Sequence, residues 1–430
     1  MVGEMSMNLT KKGYKQRYID DKVDEYLEIF GAVAVEGPKW CGKTWTSLNH
    51  AKSVCFITDP QGNFQNRTLA ELSPDLVLDG DSPRLIDEWQ EVPSLWDAIR
   101  FKVDQSGKKG QFLLTGSATP NHKGILHSGT GRFGLLRMRT MSLAETGDST
   151  GEVPLASLFD KEIKPRAIAE PSLRELVYYC VRGGWPGALG ASETAAMNMT
   201  KSYLEAVIAD DMFKVDGIKR DERKVRSLLH SLGRNESTIA SNATLNKDMA
   251  ALDEVELDKN TISDYLSIFE RLFLIDDQLA FSPSIRSSRR LLKSPKRHFA
   301  DVSLAVAALS ATPEILYNDL ETFGFLFEAL CEHDLRIYAE KIGGKLYHFR
   351  DNRGHEADAV IELPDGRWSA LEIKLGASQI DKAAEELLEI KRIMTDEGRP
   401  PHSLGVICGI TKAAYTRPDG VHVIPITALG

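Results

Sequence analysis

Gly37-Pro38-Lys39-Trp40-Cys41-Gly42-Lys43-Thr44 is the stretch whose reading decides the fold. It satisfies Gly-x-x-x-x-Gly-Lys-Ser/Thr at every position. A short apolar run, Ala32 to Val35, enters it, and Thr44 to Ala51 leaves it with helical character. The order is strand, loop, helix. Glycines let such a loop curl until its backbone N–H groups point at phosphate oxygens, and the helix start adds partial positive charge. Gly37 through Thr44 is therefore the expected nucleotide-binding set. Lys43 would neutralise the β- and γ-phosphates of ATP, and the Thr44 hydroxyl would ligate Mg²⁺. A chance glycine-rich turn has no need of both flanking elements.

Working outward, Arg84-Leu85-Ile86-Asp87-Glu88 is a short apolar strand ending in two acids. Asp87 is expected to hold Mg²⁺ through water and Glu88 to polarise the attacking water. Alone, the pair reads better as a helix cap; beside Lys43 it reads as a Walker B strand. A third strand, Phe112-Leu113-Leu114-Thr115, ends in Gly116-Ser117. Ser117 is the candidate γ-phosphate sensor, although serine also caps strand ends. Arg132, in Gly129-Thr130-Gly131-Arg132, is the candidate arginine finger, in cis or from a neighbouring subunit. A solvated loop arginine fits it equally.

Fully apolar short runs at Ala32–Val35, Val54–Thr58, Leu85–Ile86 and Phe112–Thr115 alternate with helical or polar stretches. That alternation predicts an α/β domain with a parallel sheet covered on both faces. Thr146–Lys164, rich in Gly, Ser, Asp and Pro, reads as a linker. Pro171 to Phe273 reads as mostly helical; Ile262, Tyr265, Leu266, Phe269 and Phe273 fall on one helix face. A mixed α/β pattern resumes after Pro295. The expected division is 1–165 (P-loop ATPase), 166–295 (helical, winged-helix) and 296–430 (α/β).

The 430 residues suffice for more than one core. Apolar residues are 42% and charged residues 27%, which excludes a disordered chain. No apolar run approaches the roughly 18 residues of a membrane span, and the N-terminus lacks the apolar stretch of a secretory signal. The five cysteines are scattered and form no Cys-x-x-Cys pair, so neither a disulfide framework nor a zinc site is expected. A cytoplasmic location follows. The net charge of −9 argues against a bulk electrostatic grip on nucleic acid. One basic run, Ser284–His298, carries six Lys/Arg and no acid, which makes Arg286–Arg297 the candidate nucleic-acid contact. By contrast, the helix from Asn260 presents Ser263, Asp264, Ser267 and Glu270, a face that repels phosphate.

Asp358-Ala359-Val360-Ile361-Glu362 reads as a strand, Leu363–Arg367 as a turn, and Trp368–Lys374 as the returning strand. Glu372 and Lys374 share one face, and the hairpin brings Asp358 beside them. Two carboxylates and a lysine suit Mg²⁺-assisted phosphodiester hydrolysis.

In their order, these segments resemble the prokaryotic AAA-type ATPases that carry a C-terminal domain of unknown function with a restriction-endonuclease-like core. The resemblance rests on Gly37–Thr44, Leu85–Glu88, Leu114–Ser117, Gly131-Arg132, Gly183-Gly184-Trp185-Pro186, Thr261–Leu266, Lys296-Arg297-His298-Phe299-Ala300-Asp301, Gly324–Glu328, Glu356-Ala357-Asp358 and Leu371–Lys374. It covers nearly the whole chain. It implies an ATPase domain, a winged-helix segment and a nuclease-like domain whose site would comprise Glu328, Asp358, Glu372 and Lys374. It brings no settled cellular role. Three functions remain open at this level: an ATP hydrolase whose C-terminal domain binds or cuts nucleic acid, a nucleotide-gated switch for a protein partner, and a nuclease with a regulatory ATPase. Arginine supplied in trans would require an oligomer.

Overall fold

The computed structural model describes residues 9–118, 127–160, 162–282, 294–351 and 353–430. The chain forms two compact units. One comprises Met1–Thr140 with Asp211–Ile218 and Ile268–Phe273; the other comprises Met141–Asp210, Lys219–Ser267 and Leu274–Gly430.

The first unit is built on β1 (Ala32–Glu36), β2 (Ser53–Phe56), β3 (Arg84–Asp87), β4 (Phe112–Gly116) and β5 (Phe133–Arg137). They pair in parallel in the order β2-β3-β4-β1-β5. Alternation along each strand sends side chains to two different cores. Ala32, Ala34, Ile86 and Leu114 join one, with the ring stack of Trp89, Trp96 and Phe133. Val33, Val35, Leu85 and Leu113 join the other. A sheet buried on both faces needs continuous apolar strands, which is why these runs do not alternate in polarity. The fifth strand, β5, was not expected from the sequence. Its Leu135 is 60% exposed, so this edge strand is not buried on both faces as the inner strands are. The parallel five-stranded sheet flanked by helices is the P-loop NTPase fold.

The helix α1 (Asp20–Ile29) precedes β1, and α2 (Lys43–His50) follows it. Because β4 inserts between β1 and β3, the C-terminal ends of three adjacent strands meet at one rim, where β1 and β4 feed chain segments to opposite sides. Such a switch point is where open parallel sheets hold ligands.

In the second unit the helices Glu222–Arg234, Asn242–Asp253 and Lys259–Arg271 run in succession, the last of them extending into the segment counted with the first unit. Two antiparallel bridges follow, Ile275 with Phe299 and Gln278 with Lys296. The expected apolar helix face is buried at Ile262, Tyr265, Leu266, Phe269 and Phe273. The unit also holds a seven-stranded mixed sheet of β6 (Arg166–Ala167), β7 (Lys345–Arg350), β8 (Glu356–Glu362), β9 (Trp368–Gly376), β10 (Ser403–Ile410), β11 (Ala413–Thr416) and β12 (Val421–Pro425), in the order β6-β11-β12-β10-β9-β8-β7. β8 and β9 form the expected antiparallel hairpin, and the helix Ile380–Asp396 carries the chain across to the parallel β10.

Thr146–Lys164, read as a linker, is pinned instead. Thr150 and Val153 donate to Thr427 O and Ala428 O, and Leu155 donates to Gly430 O, each at 2.8–2.9 Å. Val153, Leu155, Leu158 and Phe159 are buried. Composition suggested a linker because main-chain pairing with distant residues leaves no mark on composition. The five cysteines are all free and buried. Among the described residues no helix is long and apolar enough to cross a membrane.

Candidate functional site

The loop Gly37–Gly42 leaves β1 and enters α2 at the C-terminal rim of the sheet. Two glycines are dictated by geometry. A Cβ on Gly37 would lie 2.1 Å from Met138 O, and Gly42 sits at φ 107°. Trp40 also adopts a left-handed φ, 66°, which costs a non-glycine residue energy and is commonest where function holds it. The start of α2 has no side-chain cap, so its first N–H groups are left to a ligand or to water. The buried Lys43 ammonium donates to Gly37 O at 2.9 Å and Pro38 O at 2.8 Å. It is thus held inside the curl of the loop. Cys41 is buried with its thiol toward Met138 O. Lys39 instead points away, to Asp211 at 2.5 Å. From the N-terminal side, the buried Arg17 donates to Cys41 O at 2.8 Å and to Arg139 O at 2.9 Å, buttressing the loop from behind.

The acidic strand end is tied to the loop through one carboxylate oxygen. Asp87 Oδ1 accepts from Thr44 at 2.8 Å and from Thr115 at 2.7 Å. Burial pushes the Asp87 carboxyl above its ordinary range, and those two hydroxyls oppose the rise. Glu88 takes a left-handed φ of 58°, and its N–H donates to Thr115 Oγ1 at 3.1 Å. Its carboxylate accepts from Ser117 at 2.9 Å and from Gln90. Lys43, Thr44, Asp87, Glu88 and Ser117 therefore converge at one rim. The sequence reading missed Thr115 and Gln90. Thr115 was legible only as the strand residue before Gly116-Ser117, and Gln90 as a polar residue two after Glu88.

Glu36, the last residue of β1, was also missed. Burial pushes its carboxyl up to about 7, against the pull of Arg137 and Lys43. Arg132 is not brought to this rim. Its carbonyl accepts from Ala32 N, at the N-terminal edge of the strands, and its guanidinium is paired with Asp104 at 2.7 Å. A finger role in cis is thereby dropped, because the parallel strands separate Arg132 from the loop by their full length.

The hydroxyl of Thr44 and the carboxylate of Asp87 are hard oxygen donors. They fit Mg²⁺, which binds through one or two carboxylates and substrate phosphates.

In the second unit Asp358, Glu372 and Lys374 do meet. Lys374 Nζ lies 2.5 Å from Glu372 Oε2 and 3.3 Å from Asp358 Oδ2, and Ile373 N donates to Asp358 Oδ2 at 2.7 Å. Burial, reinforced by Asp358, pushes Glu372 well above its ordinary range, and Lys374 opposes it. Glu328, on the helix Leu320–Lys341, is instead bonded to Lys296. Lys296 also bonds Glu332 at 2.9 Å and Asp358 O at 3.2 Å. Burial drives the Glu328 carboxyl up to about 8, more than Lys296 draws it down. Burial would raise Glu332 too, but Lys296 and His298 overcome it and hold Glu332 at about 2.

These carboxylates do not fit a divalent cation as they stand. Asp358 and Glu372 share the Lys374 ammonium, Glu328 is taken by Lys296, and among the described residues no three His, Cys, Asp or Glu side chains form a metal-holding group. Of the basic run, residues 286–293 lie outside the described residues. Its described end turns inward: Lys296 and Arg297 are buried, Arg297 pairing with Asp277 at 2.5 Å and bonding Ala240 O and Asn242. Nucleic-acid contact by those two residues is thereby dropped.

Residues 30–147 match an AAA domain, residues 173–315 a domain of unknown function, DUF8612, and residues 323–429 another, DUF4143. Two uncharacterized proteins, from Mycobacterium bovis and Mycobacterium tuberculosis, are each 23% identical over 346 residues, which is 80% of this chain and 70% of the relative. Among solved structures, the chain is similar to a Walker-type ATPase of Pyrococcus abyssi, at 12% identity over 70% of this chain and 99% of that one, with a TM-score of 0.42. It is also similar to the ORC2 protein of Aeropyrum pernix, at 13% identity over 74% and 99%, with a TM-score of 0.31. The AAA match and the sheet order define the N-terminal portion as an AAA-type P-loop ATPase fold, a nucleotide-binding class. The C-terminal match carries no assigned function.

Proposed function

We propose that this protein hydrolyses ATP with Mg²⁺ and couples turnover to its C-terminal half, which engages nucleic acid. One observation carries the hydrolase reading: Thr44 at the start of α2 and Asp87, Glu88, Thr115 and Ser117 at the ends of β3 and β4 form one chain of hydrogen bonds, with Thr115 joining Asp87 to Glu88. Gly37 through Thr44, with Lys43, would hold the phosphates through backbone N–H groups and the ammonium. Thr44 and Asp87 would hold Mg²⁺, which supplies charge neutralisation on the phosphates. Glu88 would accept a proton from the attacking water, positioned by Ser117 and Gln90. Division into segments 1–165, 166–295 and 296–430, with a winged-helix order in the middle and a restriction-endonuclease-like core at the end, belongs to this proposal. So does a cytoplasmic location.

Lys43→Ala is expected to abolish nucleotide binding, and Glu88→Gln to preserve binding while stopping turnover. Both are read by fluorescent-nucleotide titration and phosphate release. Tight ATP binding by Lys43→Ala would sink the loop assignment.

A second reading is favoured by the placement of Lys374 on both acids. The C-terminal domain is then a binding module without chemistry, gated by nucleotide, with a protein partner as its alternative target. Mg²⁺-dependent cleavage of a plasmid that disappears in Asp358→Ala would refute it.

A further inference from the structure

The middle segment carries a second cationic stretch besides the basic run singled out by the sequence. Between Lys219 and Arg234 stand six Lys/Arg against two acids, in a chain whose net charge is −9. The helix Glu222–Arg234 buries Val225, Leu228, Leu229 and Leu232. Arg223, Arg226 and His230, with the buried Ser227 at the edge of that face, line a groove of about 810 Å³. These four follow i, i+3, i+4, i+7, a single stripe on a helix. The opposite wall is the end of the helix Val302–Ala308, through Leu309 and Ser310. Glu254 stands on the groove as its acid.

From Arg223 to His230 the stripe runs about 10 Å at 1.5 Å per residue. A nucleic-acid strand advances roughly 3.4 Å per phosphate, so the stripe spans about three phosphates. By contrast, the neighbouring helix Lys259–Arg271 exposes Ser263, Asp264, Ser267 and Glu270. That face repels a phosphate backbone.

We propose that this groove binds the phosphodiester backbone of a nucleic acid, with Arg223, Arg226 and His230 as its donors and Glu254 limiting its affinity. The proposal rests on the reading that this half of the protein engages nucleic acid, and it names the surface. Arg226 already bonds Glu205 at 2.5 Å and Glu222 at 3.3 Å. Arg223 likewise has a partner of its own, so both arginines serve a phosphate as shared cations, and the spacing from Arg223 to His230 sets the register.

The test is fluorescence anisotropy of the full chain against a labelled 20-base-pair DNA duplex and the matching RNA duplex, from 50 to 300 mM salt. Arg223→Gln/Arg226→Gln is expected to weaken binding at least tenfold. It should also lower the slope of log affinity against log salt by about 1.8, at roughly 0.9 per lost phosphate contact. Arg223→Gln alone, which leaves the Arg226 pairs intact, should give about half of that slope change. Glu254→Gln should tighten binding several-fold, a gain that damage to folding would not produce. ATP turnover should be unchanged in all three. Loss of binding to DNA, RNA or both supports the groove, and the preferred duplex identifies the source of the phosphates. Variants that bind as the wild type does, with the same slope, overturn the groove and leave the nucleic-acid reading standing. A wild type that hydrolyses ATP but binds neither duplex at 50 mM salt overturns both.

Discussion

Replacing Thr115 with valine should disable the catalytic rim while leaving the sheet intact. Thr115 is fully buried in β4, and valine has nearly its shape. The hydroxyl makes two bonds that a methyl cannot: it donates to Asp87 Oδ1 at 2.7 Å and accepts from Glu88 N at 3.1 Å. A hydrogen bond to a charged group contributes about 1.5–3 kcal/mol. At about 1.36 kcal/mol per decade, loss of the Asp87 bond alone predicts a fall of roughly 10- to 150-fold in kcat/KM. The second bond adds a directional effect. Glu88 holds a left-handed φ with its N–H anchored on Thr115, so the valine variant frees it to relax. The larger share of the loss should therefore fall on kcat, with KM for ATP changing less. Thr115→Ser keeps the hydroxyl and should retain most activity. The assay is steady-state phosphate release across a Mg²⁺ titration, with circular dichroism as the folding control. A folded Thr115→Val protein whose kcat/KM stays within twofold of wild type would refute the argument that this hydroxyl organises the site.

Lys296→Met should destabilise the protein by about 3–5 kcal/mol, measured by urea denaturation, because it leaves buried carboxylates without their cation. The loss should be pH-dependent. Glu328 is raised to about 8 in the folded protein, so its stabilising protonated form is present at low pH and is lost as pH rises through that value. Removing the cation that draws it down makes the penalty larger at pH 9 than at pH 6; a flat penalty would contradict this. Arg132→Ala should leave turnover of a dilute monomer unchanged, since Arg132 is paired with Asp104 at the far edge of the strands. A tenfold drop in the monomer would restore a role in cis, and a drop confined to an assembled form would point to a neighbouring subunit. Arg17→Gln should weaken nucleotide binding and lower the thermal midpoint together, through loss of its bonds to Cys41 O and Arg139 O; unchanged affinity would remove Arg17 from the support of the loop.

The phosphate loop was legible because its requirements are local. Eight consecutive residues fix a curl, a cation and a helix start, and every one is visible in order. The strands β1, β3 and β4 were legible for the same reason, since burial on both faces demands contiguous apolar residues. The hairpin of β8 and β9 was announced by its turn, and the alternation along it predicted that Asp358, Glu372 and Lys374 would meet. The sequence also carried the acidic outward face of the helix Lys259–Arg271.

What the tertiary structure decided are the partners that lie far apart in the chain. Thr115 sits 28 residues from Asp87, and only the pairing of β4 between β1 and β3 makes its hydroxyl the hinge of the site. Lys296 reads as part of a solvated basic run, yet it is buried against Glu328, 32 residues away, and Glu332, 36 residues away. Arg132 reads as a loop arginine near the sheet, and only strand direction reveals which edge it occupies. Thr146–Lys164 has the composition of a linker, but its backbone pairs with residues beyond 426. Local steric and hydrogen-bonding preferences are written into neighbouring residues. Which cation meets which acid, and at which end of a sheet, depends on strand order and burial, and those are settled only when the whole chain packs.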